Sequence, residues 1–214
     1  MNNKTNIVTI LAACLLILST VQQTRAEEVP YEEYEIKAAF MYQFVNFIDG
    51  WRFQQKSGEG SGENTDNNRA ITIGIIGKNP FQDAFIPLKE KQIKDRKVVV
   101  KYFKGLSELN SADEKVTLHP EIDRIKQCDL LFICSSEHQY IEDILNPIRR
   151  ELILTIADTQ DFVESGGVIN FIIDKNKVRF EINTAAAHRA KLKIRSKLLR
   201  LAKRILENDN VEEE

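Results

Sequence analysis

Three short runs of the chain are apolar almost without interruption: Ile71-Thr72-Ile73-Gly74-Ile75-Ile76-Gly77, Asp129-Leu130-Leu131-Phe132-Ile133-Cys134 and Leu152-Ile153-Leu154-Thr155-Ile156. None alternates with polar residues, so none suits a strand with one wet face. Such runs fit strands buried on both sides, which requires helices above and below a parallel sheet. The intervening sequence supplies them. Lys78-Asn79-Pro80 turns into a short helix over 81–88, limited by Pro87, and a helix is predicted from Glu137 to Arg149. Val98-Val99-Val100 with Tyr102 adds another strand. Upstream, Tyr31 to Asp49 forms a first helix. Ile36, Phe40, Phe44 and Phe47 recur along it at helical spacing, with Ala39 and Ile48 widening a stripe that reads as core rather than as a cofactor surface.

The end of the chain changes pattern. Val168–Ile173 and Lys177–Ile182 flank the polar turn Asp174-Lys175-Asn176 and form an antiparallel hairpin. A long helix is predicted from Thr184 to Leu206, with Thr184 or Asn183 as N-cap. The expected fold class is α/β: a single three-layer domain whose mixed, mostly parallel sheet ends in a C-terminal hairpin and a long final helix. Residues 54–69, rich in Gly, Ser, Asn and Glu, read as a flexible surface loop, and 208–214 as an acidic tail.

Composition narrows the class. With 30 Lys+Arg against 32 Asp+Glu in 214 residues, the formal charge of −2 lacks the basic excess of a nucleic-acid-coating protein. The N-terminus has the parts of a secretory signal: Lys4, an apolar stretch from Ile7 to Val21, and Thr24 and Ala26 at positions −3 and −1 of a cut after Ala26. The apolar stretch is shorter than the ~20 residues that span a bilayer. Lipid attachment at Cys14 is the alternative. Cleavage removes Lys4 and Arg25, leaving 28 basic and 32 acidic side chains, a net of −4, and no membrane span is then expected. It also leaves Cys128 and Cys134. Six residues of strand separate their Cα atoms by about 20 Å, whereas a disulfide needs less than about 7 Å. Two buried free thiols are expected.

Familiar catalytic patterns are absent from the sequence. Gly74 and Gly77 lack the Gly-x-Gly-x-x-Gly spacing of a dinucleotide site, and no phosphate loop occurs. His119, His138 and His188 have neither metal-ligand spacing nor a nucleophile elbow near Ser135. No cofactor, metal or enzymatic activity is expected. Small ligands of open α/β sheets bind beyond the carboxyl ends of strands, which makes Gly77, Asn79, Ser135 and Asp158 a candidate crevice.

Two charged features stand out. Arg189, Lys191, Lys193, Arg195, Lys197, Arg200, Lys203 and Arg204 interleave with Leu192, Ile194, Leu198, Leu199, Leu201, Ile205 and Leu206, which reads as a basic amphipathic helix. Its cationic side is either a solvated face or a surface for a partner or lipid headgroups. On the closing hairpin Arg179 and Glu181 share one strand face, as a structural ion pair or a ligand-facing pair. Arg179, Glu181, Lys191, Lys193, Arg195, Lys197 and Arg200 are the candidate partner or signal-responsive residues.

At Tyr34–Phe44, Ile73–Gly77 with Asn79-Pro80-Phe81, Cys128–Ile133, Leu154–Asp158, Phe162, Gly166–Phe171, Arg179–Asn183 and Leu192–Leu199 the chain resembles the YfiR-like periplasmic repressors, in order along the mature sequence. The resemblance implies a periplasmic, non-catalytic α/β protein that binds the periplasmic region of an inner-membrane diguanylate cyclase and represses it, lowering cyclic-di-GMP and biofilm-type behaviour. It also implies a homodimer and disulfides linked to envelope redox state. Here the chain departs: Cys128 matches a family cysteine, but Val98–Phe103 offers no partner and Cys134 is an addition. The alternative function is a periplasmic module binding a small ligand in the strand-end crevice.

Overall fold

A computed structural model describes residues 31–52, 69–88, 90–110 and 116–207. The predicted signal peptide (1–26), all of the predicted loop except Arg69, and the acidic tail lie outside the described residues. Helix α1, Tyr31–Phe47, leads into a two-residue strand β1, Ile48–Asp49. Next come β2, Ile71–Ile76, and β3, Val98–Phe103. Two short helices follow, α2, Leu106–Leu109, and α3, Ile122–Ile125, before β4, Leu130–Ile133. A helical run then passes through a 3-10 segment (Ser135–Tyr140), α4 (Ile141–Leu145) and another 3-10 turn (Asn146–Ile148) to β5, Leu154–Ala157. The hairpin consists of β6, Ile169–Asp174, and β7, Lys177–Asn183. The chain closes with α5 (Thr184–Arg189), β8 (Lys193–Ile194), α6 (Ser196–Leu199) and β9 (Arg204–Leu206).

The main sheet has strand order β3-β2-β4-β5-β6-β7-β9. From β3 to β6 all neighbours are parallel. β7 returns antiparallel to β6, and β9 lies parallel to β7. Every residue of β2, β4 and β5 is buried, as their unbroken apolar runs require. One face carries Ile73, Phe132, Ile156, Phe171 and Phe180 against Met41, Phe44 and Val45 of α1. The other carries Ile76, Leu131 and Ile133 against Leu106, Ile125, Ile141, Ile144 and Phe162. The result is a three-layer arrangement with few helices. Phe44 stacks on Phe171 at 5.8 Å and meets Phe180 edge-on at 5.2 Å, pinning α1 across the hairpin strands.

Both cysteines are buried and free. Cys128 belongs to one face's core and Cys134 to the other, so the sheet itself stands between them.

Four sequence expectations are corrected. The buried side of α1 is Ala38, Met41, Phe44 and Val45, whereas Ile36 is 41% exposed. The helix also stops at Phe47, because Ile48 and Asp49 pair with Ile194 and Lys193. Residues 81–88 form turns ending in a 3-10 segment rather than a helix. The long final helix over 184–206, and with it the basic amphipathic helix, does not form. α5 ends at Arg189 with Ala190 as its C-cap, and Lys191 turns the backbone to φ 58°. Beyond it Lys191, Lys193 and Arg195 recur at every second residue with Leu192 and Ile194 between them, which is the period of a strand. Asn183 is the N-cap of α5, its side chain accepting the Ala186 N–H at 2.7 Å.

Replacing Phe44 by Ala empties the contact between α1 and the hairpin. Urea unfolding should show a loss of about 3–5 kcal/mol with native far-UV circular dichroism retained at zero urea.

Candidate functional site

The carboxyl ends of β2, β4 and β5 bring the predicted crevice residues to one end of the sheet, but most are engaged by the protein itself. Gly77 turns the chain out of β2 at φ 99°. Ser136, rather than the exposed Ser135, meets this turn: its Oγ accepts the Lys78 N–H at 3.0 Å. Asn79 Oδ1 accepts the Phe81 N–H at 3.0 Å and starts the 81–88 turns.

Beside them the fully buried Glu137 carboxylate accepts the Ser107 N–H (2.9 Å), the Ser107 hydroxyl (2.6 Å) and the Ser136 hydroxyl (2.8 Å). Gly105 at the N-cap of α2 has no side chain to offer, so Glu137 caps that helix from across the sheet. Such a carboxylate is a structural clamp, its acceptors satisfied by three donors.

Asp158 is held differently. Its Oδ2 accepts Lys37 Nζ at 2.7 Å and the Tyr34 hydroxyl at 2.8 Å. Lys37 is only 3% exposed and also pairs with Glu33, one turn earlier on α1. The Tyr34 ring packs edge-on to Phe81 at 5.1 Å, with Lys37 Nζ 4.2 Å from the Tyr34 centroid. Burial, reinforced by Asp158, pushes the Tyr34 hydroxyl well above its ordinary range. Asp158 Oδ1 is buried without a hydrogen-bond partner. The expected crevice is thus closed at Asp158 by the first turns of α1. Sequence reasoning named Asp158 and missed Tyr34, Lys37, Ser136 and Glu137. The available signal was Lys37 itself, a cation on the face of α1 that carries Ala38 and Met41.

The histidines do not complete a catalytic arrangement. His119 is buried, with Nε2 2.9 Å from the Lys104 carbonyl and Nδ1 accepting the Glu121 N–H at 3.0 Å. His138 and His188 are exposed. Among the described residues no hydrogen bond joins a histidine to Ser135 or Asp158, and no His/Cys/Asp/Glu cluster could hold a metal.

The candidate partner residues divide into two surfaces. Arg179 and Glu181 do share a face of β7 but are not a pair. Arg179 is exposed, while Glu181 takes a bidentate contact from Arg204 of β9 at 2.8 and 3.0 Å. Arg204 also reaches Glu164, and its two carboxylate contacts raise its pKa further. The second surface is the β1–β8 ribbon with α6, where Lys191, Lys193, Arg195, Lys197 and Arg200 are all exposed. Asp49 lies opposite Lys193 in the register and is clamped by Arg195 at 2.7 and 2.8 Å.

The profile of the YfiR/HmsC-like family matches residues 34–203. The chain belongs to this family. Membership supports, in general terms, a periplasmic regulator of cyclic-di-GMP signalling. Among the described residues no helix is long and apolar enough to cross a membrane. No curated protein matches the chain. A crystal structure of a conserved domain protein from Vibrio cholerae aligns with 12% identity and a TM-score of 0.49, over 80% of this chain. The chain spans 60% of that protein's length.

Two measurements probe the site. Lys37→Met leaves Asp158 buried and unpaired and should cost about 3–5 kcal/mol in urea unfolding, whereas Lys37→Met/Asp158→Leu should recover most of that loss. A second prediction concerns pH. Burial pushes the Cys128 thiol up to about 11, and Cys134 and Tyr34 move in the same direction. The unfolded chain therefore ionises first as pH rises. Stability should be full below the ordinary thiol range near pH ~8.5 and decline as pH climbs toward about 11. Urea midpoints taken across that interval check the sign.

Proposed function

We propose that the protein is a periplasmic repressor that binds the periplasmic region of an inner-membrane sensor, a diguanylate cyclase, and holds it inactive. The family match across residues 34–203 carries this reading. The open face of the hairpin supplies a surface suited to a protein partner. Arg179 is exposed there beside the half-buried Ile172, its register partner on β6, and Ile173 next to it in sequence is 53% exposed on the opposite side. Arginine is among the residues enriched at interface anchors. Repression then requires that the complex favour the inactive sensor, and an activating signal must bind the free repressor more tightly than the bound one.

Deletion of the gene should raise cellular cyclic-di-GMP, and the wild-type chain supplied in trans should lower it again. Arg179→Glu should restore the nucleotide level poorly while keeping the wild-type unfolding midpoint. Unchanged cyclic-di-GMP in the deletion strain would sink the repressor reading.

A further inference from the structure

The cations that sequence periodicity assigned to a helix are gathered by a strand instead. On a helix, residues two apart point roughly 200° from one another, so Lys191, Lys193 and Arg195 would be divided between opposite sides. In and just after β8, Lys193 and Arg195 fall two apart and are both exposed, Lys191 is exposed in the left-handed turn that leads into the strand, and Leu192 between them is 4% exposed. The same ribbon face receives Asp49 from β1, and Arg195 occupies that carboxylate through two hydrogen bonds. Lys191 and Lys193 have no ion-pair partner among the described residues. Lys197 lies over the Phe47 ring, 5.4 Å from its centroid, which places its ammonium at the ribbon's end. Lys94 approaches the Ile48 carbonyl at 3.5 Å. Burial lowers its pKa, Asp49 opposes the shift and Arg195 adds to it. Asp95 follows Lys94 in the same turn. One helical turn beyond Lys197, Leu201 is 56% exposed.

We propose that the outer face of the β1–β8 ribbon, with Lys197, Arg200 and Leu201 beside it, docks on the anionic headgroups of a bilayer. The cations stand out against a mature chain of net charge −4, so attraction to an anionic surface would act on this face rather than on the whole molecule. Their chemistry favours lipid over protein. Specific protein interfaces are enriched in arginine and depleted in lysine, yet the ribbon's arginine, Arg195, is already committed to Asp49, and Lys191, Lys193 and Lys197 outnumber Arg200 among the other cations. Lysine is a point charge on a flexible stem, matched to phosphates that have no fixed geometry. The exposed Leu201 supplies the apolar contact that peripheral membrane surfaces add to charge. This surface is separate from the Arg179 face and does not depend on the repressor reading.

The test uses the exported protein and sedimenting vesicles of phosphatidylcholine, with or without phosphatidylglycerol. The protein should sediment with the phosphatidylglycerol vesicles at low salt, be released at high salt, and stay in solution with phosphatidylcholine alone. Lys191→Glu/Lys193→Glu/Lys197→Glu should weaken binding at least tenfold with an unchanged unfolding midpoint, and Leu201→Ser should weaken it by a smaller factor. Lys175→Glu/Lys177→Glu, at the hairpin turn, should leave binding unchanged. Absence of sedimentation, equal sedimentation with both vesicle types, or equal losses in the ribbon and hairpin variants would overturn the proposal. So would a ribbon variant that keeps vesicle binding but loses capture by the sensor's periplasmic region. The vesicles contain no sensor, so their result is independent of the cyclic-di-GMP measurement.

Discussion

The central strands β2, β4 and β5 are buried on both faces, and the rest of the architecture answers that constraint. Their backbone is satisfied laterally by parallel pairing, so buried charge is confined to the strand ends. There the chain places buried carboxylates, each with its own compensation. Asp129, just before β4, accepts the Thr72 N–H at 2.9 Å and Arg69 at 3.3 Å. Burial raises its pKa, while the Thr72 amide and Arg69 oppose that shift. Glu137, after β4, is held by hydroxyl and amide donors, and Asp158, after β5, by Lys37 and Tyr34. An uncompensated charge at any of these positions would be expensive. These acids therefore stitch distant segments onto the sheet, and Glu137 and Asp158 do so at the strand ends where the crevice was expected.

That closure shifts attention from the sheet's ends to its later strands and to the ribbon. The hairpin carries the sheet past β5, and β9 completes it through the Glu181–Arg204 contact and the Lys203–Asp174 pair at 3.0 Å. The uncovered hairpin face and the lysine-bearing ribbon have different chemistries. One offers an arginine and aliphatic groups; the other offers mobile point charges and a leucine. A regulator working beside a membrane-bound partner can use both without their competing.

Legibility followed the range of the interaction. The apolar runs of β2, β4 and β5 announced a doubly covered parallel sheet, and the Asp174–Asn176 turn announced the hairpin, because both patterns are local. Asp158 was recognisable as a strand-end residue, but its occupation by Lys37 was not, since the two are separated by 121 positions. The Arg179–Glu181 pairing failed for the same reason: the true partner, Arg204, reaches Glu181 only once β9 joins the sheet. The final segment misled because its leucines and isoleucines tolerate a helical reading as well as an alternating one.

The sequence by itself therefore determined the fold class, the family, the cation-rich C-terminal segment and the improbability of a Cys128–Cys134 bridge. The family follows from the collinear resemblance of its segments, and the others from composition, periodicity or the fixed rise of a strand. Tertiary structure decided which side chains the buried acids meet and where the C-terminal cations point. Those outcomes depend on partners remote in sequence: Ile48 and Asp49 hold Lys193 and Ile194 as a strand, which ends the helical reading and leaves Lys191, Lys193 and Arg195 exposed.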